Sequence, residues 1–114
     1  MIKTITLYTK PIPVNQKFFI VKGRNILSKK YRDTKYALAL ETRSQAKFEP
    51  YKGNLAMNVM MYFGDNRKRD IDAYLKILLD SMEGIVYEND NQIVELHCFK
   101  EVDIKNPRTV IQIL

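Results

Sequence analysis

A chain of 114 residues, 46% hydrophobic and 28% charged, has the size and composition of one soluble domain, residues 1–114, that can bury a core without a stapling metal or disulfide. No apolar run is long enough to span a bilayer, and the single cysteine, Cys98, excludes an internal disulfide. The net charge of +6 is uneven: 12 Lys/Arg stand against 3 Asp/Glu up to Lys52, and 7 against 10 from Gly53 onward. That asymmetry points to an anionic partner for a cationic first half, nucleic acid above all, and to a gathering of carboxylates in the second.

"MIKTITLYT" alternates apolar and polar residues and is expected to form a half-buried strand. It lacks the apolar core of a signal peptide, so the expected setting is reducing and cytoplasmic. Pro11 and Pro13 then forbid ladder pairing. The chain should continue as a loop around Gly23 and become a helix from about Ser28, a good N-cap. After the turn "PYKGN", "LAMNVMMYF" predicts a strand with Leu55, Met57, Val59, Met61 and Phe63 on one side.

"DNRKR" is expected to be a loop and "DIDAYLKILLDSMEG" a helix. Ile71, Leu75, Leu78 and Met82 make its buried stripe, and Gly84 closes it. "IVYENDNQ" should be a polar loop, "QIVELHCFKEV" a strand, and "TVIQIL" a last strand, joined to it by a short turn and antiparallel. The expected fold is α+β, with the order β–α–β–α–β–β: a mixed sheet with two main helices packed on it.

Within this frame the stretch "RKRDIDAYLK" raises a question of chemistry. Asp70 and Asp72 stand where a helix begins, so N-capping and the helix dipole could account for both. Three features point further. Asp72, Lys76 and Asp80 recur every four residues beside the apolar stripe. Arg67, Lys68 and Arg69 directly precede the pair. An acidic loop with Glu88 and Asp90 follows the helix and could return a carboxylate toward the pair if the next strand lies beside the first. Cations for a phosphate backbone and hard oxygens for Mg²⁺ are what phosphodiester cleavage needs. Lys76 would then hold the scissile phosphate or steady the leaving oxygen.

These residues resemble the signature of the RusA family of Holliday junction resolvases: Arg69-Asp70-Ile71-Asp72, Lys76, Asp80-Ser81-Met82 and Asp90-Asn91-Gln92-Ile93. "PIPVNQKF", with Asn15, is similar to the family's Pro-rich loop, and "GRNILSKKYRDTKYAL" to the segment feeding its first helix. The resemblance implies a RusA-like, homodimeric endonuclease of a bacterial or phage-infected cell. It would nick two opposed strands of a four-way DNA junction, a two-fold protein on a two-fold substrate. It implies Asp70, Asp72 and Asp90 as catalytic carboxylates holding Mg²⁺, with Mn²⁺ as a substitute, and Lys76 as the catalytic lysine. No small-molecule cofactor and no membrane partner are implied. Two departures stand out: Asn89 where many members carry Asp, with Glu88 as its outer-shell substitute, and Ala73 where Asn is common.

Lys17, Arg24, Lys29 and Lys30, together with Arg67, Lys68 and Arg69, are the expected phosphate contacts, with Lys22 also in the basic set. Tyr8, Phe18 and Phe19 could stack on unpaired bases, though packing is their commoner use. His97 within a strand and Cys98 read as structural. The competing assignment is a non-catalytic nucleic-acid-binding module whose aspartates only cap a helix.

Overall fold

The computed structural model describes residues 3–114. In chain order it has β1 (Lys3–Leu7), β2 (Phe18–Val21), β3 (Arg24–Leu27), α1 (Lys29–Gln45), β4 (Leu55–Phe63), α2 (Leu75–Met82), β5 (Ile93–Val102) and β6 (Arg108–Ile113). Short 3-10 turns cover Val14–Gln16, Ile71–Tyr74 and Asp90–Gln92. Strict alternation makes β4 the centre of the sheet: Leu55, Met57, Val59, Met61 and Phe63 are all buried, and the residues between them are half-exposed. A period of two can bury only one face of a strand. Ile5 and Leu7 of β1 and Ile111 and Ile113 of β6 extend that apolar face, and Leu38 of α1 and Ile77, Leu78 and Met82 of α2 complete one core cluster.

The main sheet has the order β1-β6-β4-β5; β4 and β5 are parallel, and β6 is antiparallel to both β1 and β4. The fold is therefore the expected α+β mixed sheet with two helices, α1 packing on α2 and β1. Ser28 caps α1 as expected, its hydroxyl oxygen accepting from the Tyr31 amide at 3.0 Å. Among the described residues no helix is long and apolar enough to cross a membrane.

Four details differ from expectation. The segment expected as a loop around Gly23 is a β2–β3 hairpin in a sheet of its own. Its two-residue turn has positive φ at both Lys22 (51°) and Gly23 (76°), the backbone of a type I′ turn. Lysine at the first of these positions gives no turn signal, and the apolar run Phe18–Val21 is exposed throughout. Next, the predicted helix opens with the 3-10 turn Ile71–Tyr74, and regular α-helix starts only at Leu75. Third, β5 and β6 run antiparallel but do not pair, because β4 lies between them. Finally, the supposedly polar loop after α2 begins with Ile85, Val86 and Tyr87, all buried, and the Tyr87 hydroxyl donates to the Leu79 carbonyl at 2.6 Å.

Gly84 ends the helical segment with φ 79° and donates its amide to the Tyr87 carbonyl at 2.7 Å. A Cβ there would meet no atom within 4 Å. Gly84→Ala should therefore cost only the left-handed backbone penalty, about 1–2 kcal/mol. Urea unfolding checks this, with Gly64→Ala, whose φ is not positive, as the control expected to change little.

Candidate active site and nucleic-acid groove

The parallel β4–α2–β5 crossover sets where each carboxylate falls. Asp70 precedes the 3-10 turn at the end of β4; Asp90 follows α2 at the entry to β5. The condition that β5 lie beside β4 is met. The crossover places Asp70 and Asp72 before α2 in the chain and Asp90 after it. Asp70 and Asp72 do not belong to the compact carboxylate group that includes Asp90. Among the described residues the three carboxylates whose oxygens lie within 4.8 Å of one another are Asp80, Glu83 and Asp90.

Asp70 occupies the N-cap position of the 3-10 turn, but its side chain makes no capping hydrogen bond; only its carbonyl accepts, from the Ala73 amide at 3.2 Å. Asp72, in the first turn, is likewise exposed. Among the described residues neither carboxylate takes an ion pair or side-chain hydrogen bond. The helix-cap assignment is correct about position and wrong about the bond. Both side chains are left free to meet a cation.

Asn89 does cap. Its side-chain oxygen accepts from the Asn91 amide at 2.9 Å. Gln92 closes the box by accepting from the amides of Glu88 and Asn89, at 2.9 and 3.0 Å, and anchors it by donating to the carbonyls of Tyr51 and Gly53, both at 2.9 Å. An amide oxygen serves here as a carboxylate would, so Asn in place of Asp at 89 keeps the loop in shape. Asp90 is fixed by this turn, and its amide donates to Glu83 Oε1 at 3.2 Å. Glu88 is exposed and stands outside the carboxylate group.

Lys76 meets Asp80 Oδ1 at 3.1 Å. The Tyr31 hydroxyl donates to Asp80 Oδ2 at 2.7 Å, and Lys17 Nζ lies 3.6 Å from the same oxygen. The hydrogen bond to Asp80, then the charges of Asp80, Asp90 and Glu83, outweigh desolvation and hold the Lys76 amine above the usual lysine range. Lys76 is therefore a cation at neutral pH, suited to hold a phosphate and unsuited to take a proton. Burial pushes the Asp80 carboxyl upward, but the Tyr31 hydroxyl, Lys76 and Lys17 together hold it below the usual carboxylate range. Its contribution to stability is full above that range and is lost as pH falls through the lower folded value. Acid titration of stability should be shallower below about pH 4 in Asp80→Asn than in the unaltered chain, a comparison that thermal melts along a pH series can make.

A groove of about 470 Å³ is lined by Lys10, Lys30, Arg67 and Lys68, together with Pro11 and Pro13. Of the expected phosphate contacts, Lys30, Arg67 and Lys68 meet here, and Lys10 joins them. Arg69 also borders it but points inward: its guanidinium is 2.8 Å from Asp65 Oδ1 and 4.2 Å above the Phe63 ring, with 7% of the side chain exposed. It is a brace for the loop, and not the exposed phosphate contact its charge suggested. The Arg67 amide first, then the Arg69 guanidinium, overcome desolvation and lower the Asp65 carboxyl. Lys17 is similarly engaged, with Asp80 and with the rings of Phe18 and Tyr31, each at 5.2 Å. Lys29 pairs with Asp33 at 2.8 Å on an exposed helix face. Arg24 is exposed next to the hairpin turn and Asn15 in the turn Val14–Gln16.

His97 is exposed on the edge strand, 3.6 Å from Glu95, and half-buried Cys98 has its thiol pushed up by burial; neither belongs to the Asp80–Glu83–Asp90 group. Charge pattern alone missed Tyr31, Glu83 and Lys10. The four-residue recurrence of Asp72, Lys76 and Asp80 was the available signal for the Lys76–Asp80 pair.

Free carboxylates, a lysine held in its charged form and a basic groove, on a small mixed-sheet scaffold, are the equipment of a nucleic-acid-cleaving domain. The chain matches the family model described as Endodeoxyribonuclease RusA over residues 9–114 and belongs to that family. It is 30% identical over 105 residues to the Crossover junction endodeoxyribonuclease RusA of Aquifex aeolicus (strain VF5), covering 90% of this chain and 83% of that one.

Proposed function

We propose that this chain, acting over residues 1–114 as one RusA-like domain, is a homodimeric, Mg²⁺-dependent endodeoxyribonuclease that resolves four-way DNA junctions by paired nicks. The observation that carries the reading is the free Asp70–Asp72 pair next to the basic run of the groove, on a chain of this family. The donor set fits a hard cation: Asp70 and Asp72 are committed to nothing else, and Glu83 and Asp90 offer a second pair of carboxylates. Mg²⁺ held by these oxygens would activate a water for attack and neutralise phosphate charge.

The remaining work belongs to the side chains. Lys10, Lys30, Arg67 and Lys68 grip the phosphate backbone and set its register without reading bases. Lys76, kept cationic by its neighbours, faces the phosphate and stabilises the negative charge that builds on it. Arg69 and Asp65 keep the loop between β4 and α2 in one shape, so that Asp70 and Asp72 are presented in a fixed place. Two copies related by a two-fold axis would cut opposed strands alike.

The test is a synthetic four-way junction against a linear duplex of equal length, each with Mg²⁺ or chelator. Paired nicks in the junction alone, and only with metal, are the expected result. Binding without cutting in Mg²⁺ or Mn²⁺ would overturn the reading and leave a nucleic-acid-binding module.

A further inference from the structure

We propose that Asp80, held by the Tyr31 hydroxyl, is the positioning residue for Lys76, and that Lys17 ties this carboxylate to the root of the β2–β3 hairpin. The inference deepens the reading of Lys76 as the residue that faces the phosphate, and it rests on that reading. The two oxygens of Asp80 are divided: Oδ1 holds Lys76 at 3.1 Å, while Oδ2 accepts from Tyr31 at 2.7 Å with Lys17 at 3.6 Å. Three donors come from three separate segments of the chain, and no two are neighbours in sequence.

Burial separates this arrangement from an ordinary surface pair. An exposed ion pair one helical turn apart leaves both side chains mobile, as Lys29 and Asp33 do at 82% and 64% side-chain exposure. Asp80 is 12% exposed, and Tyr31 is buried with 1% of its surface accessible. Tyr31 is itself fixed. Its amide donates to Ser28 Oγ at 3.0 Å, and that hydroxyl donates to the Gln16 carbonyl at 2.7 Å. The Ser28 amide donates to the Lys17 carbonyl at 2.7 Å. The start of α1, the root of the hairpin and the lysine on α2 thus form one connected network through Asp80.

The same geometry separates Asp80 from the carboxylates near it. A cation bound by Asp80 would have to displace Lys76 from Oδ1, or Lys17 from the Oδ2 that also accepts from the Tyr31 phenol. Glu83 and Asp90 carry no such commitment to a lysine. Asp80 therefore acts through Lys76, by fixing where the ammonium sits, and a shift of about an ångström in a positioned group can cost on the order of a hundredfold in rate.

The experiment compares Tyr31→Phe, Asp80→Asn and Lys76→Ala, and each of the first two combined with Lys76→Ala, in junction cleavage with Mg²⁺. Junction affinity in chelator, which needs the fold and not the chemistry, should stay within about twofold of the unaltered chain in Tyr31→Phe, and Lys76→Ala sets the affinity reference for the double variants. Tyr31→Phe should lower kcat about tenfold with KM unchanged, and Asp80→Asn by more; in the Lys76→Ala background neither should lower it further. Equal factors in both backgrounds, or full kcat in Tyr31→Phe, would overturn the positioning role. Full turnover in Lys76→Ala would instead overturn the reading of Lys76, and the positioning role with it. A readout independent of cleavage is the rate at which acetic anhydride acylates Lys76, followed by peptide mass spectrometry. It should rise severalfold in Asp80→Asn and measurably in Tyr31→Phe, and an unchanged rate in both would overturn the proposal whether or not the protein cuts junctions.

Discussion

Asp70→Asn is expected to lower metal-dependent junction cleavage by about three orders of magnitude, because a metal ligand contributes several kcal/mol to the transition state. The same variant should bind junctions as before, since the basic groove is untouched, and should lose less than about 0.5 kcal/mol of stability. The stability measurement separates the two assignments considered for this residue. A capping aspartate would cost about 1 kcal/mol when replaced by a non-capping residue, and asparagine, itself a good cap, would cost nothing. Asp70→Ala is therefore the companion variant. Asp70 makes no capping bond, so alanine too should leave the urea midpoint in place while abolishing cleavage. A destabilised but active Asp70→Ala protein would reverse the assignment.

Asp90→Asn and Glu83→Gln ask a different question of the same geometry. Asp70 and Asp72 precede α2 in the chain, Glu83 and Asp90 follow it, and Lys76 stands on the helix itself. If both pairs serve the chemistry, each single substitution should abolish cutting. If one pair suffices, only its members will. Loss confined to Glu83 and Asp90 would place the reaction at the end of α2 and leave Asp70 and Asp72 without a role in it.

The sequence disclosed the parts of this molecule whose physics is local. The alternation of β4, the Ser28 cap, the Gly84 stop and the stripe through Leu78 and Met82 each follow from side-chain period or backbone freedom within a few residues. What escaped depends on pairing between distant segments. The separation of β5 from β6 follows from β6 having a second partner in β1, which no short window can show. The hairpin was hidden because Lys22 adopts a positive φ that lysine rarely takes.

The same division holds at the site. The charge of Arg67, Lys68 and Arg69 was plain in the sequence, but which way each points was not. Arg69 turns inward because Asp65, four residues before it, and the Phe63 ring together offer an ion pair and a π-face. The four-residue recurrence of Asp72, Lys76 and Asp80 was visible as a stripe. That the last two pair, while Asp72 stays free, depends on Tyr31 arriving from α1, 49 positions away.

The groove itself carries the second large effect. Lys30→Ala, Arg67→Ala and Lys68→Ala combined should reduce the dependence of junction affinity on salt by about three units in log–log slope, since each phosphate contact contributes about 0.9. At about 0.1 M salt the same three contacts correspond to a loss of several-hundredfold in affinity. The loss should be similar for junctions of different sequence, because phosphate contacts carry no base information. A charge-matched control removes the exposed Lys47, Lys52 and Lys105, which border no part of the groove. If net charge alone drove binding, both triple variants would shift the slope alike. If the groove is the interface, only the first will. Lys29→Ala should fall with the control, because Lys29 already spends its charge on Asp33. Arg69→Ala should differ from both: its guanidinium braces Asp65 and Phe63, so its loss should appear first as a lower unfolding midpoint and only second as weaker binding.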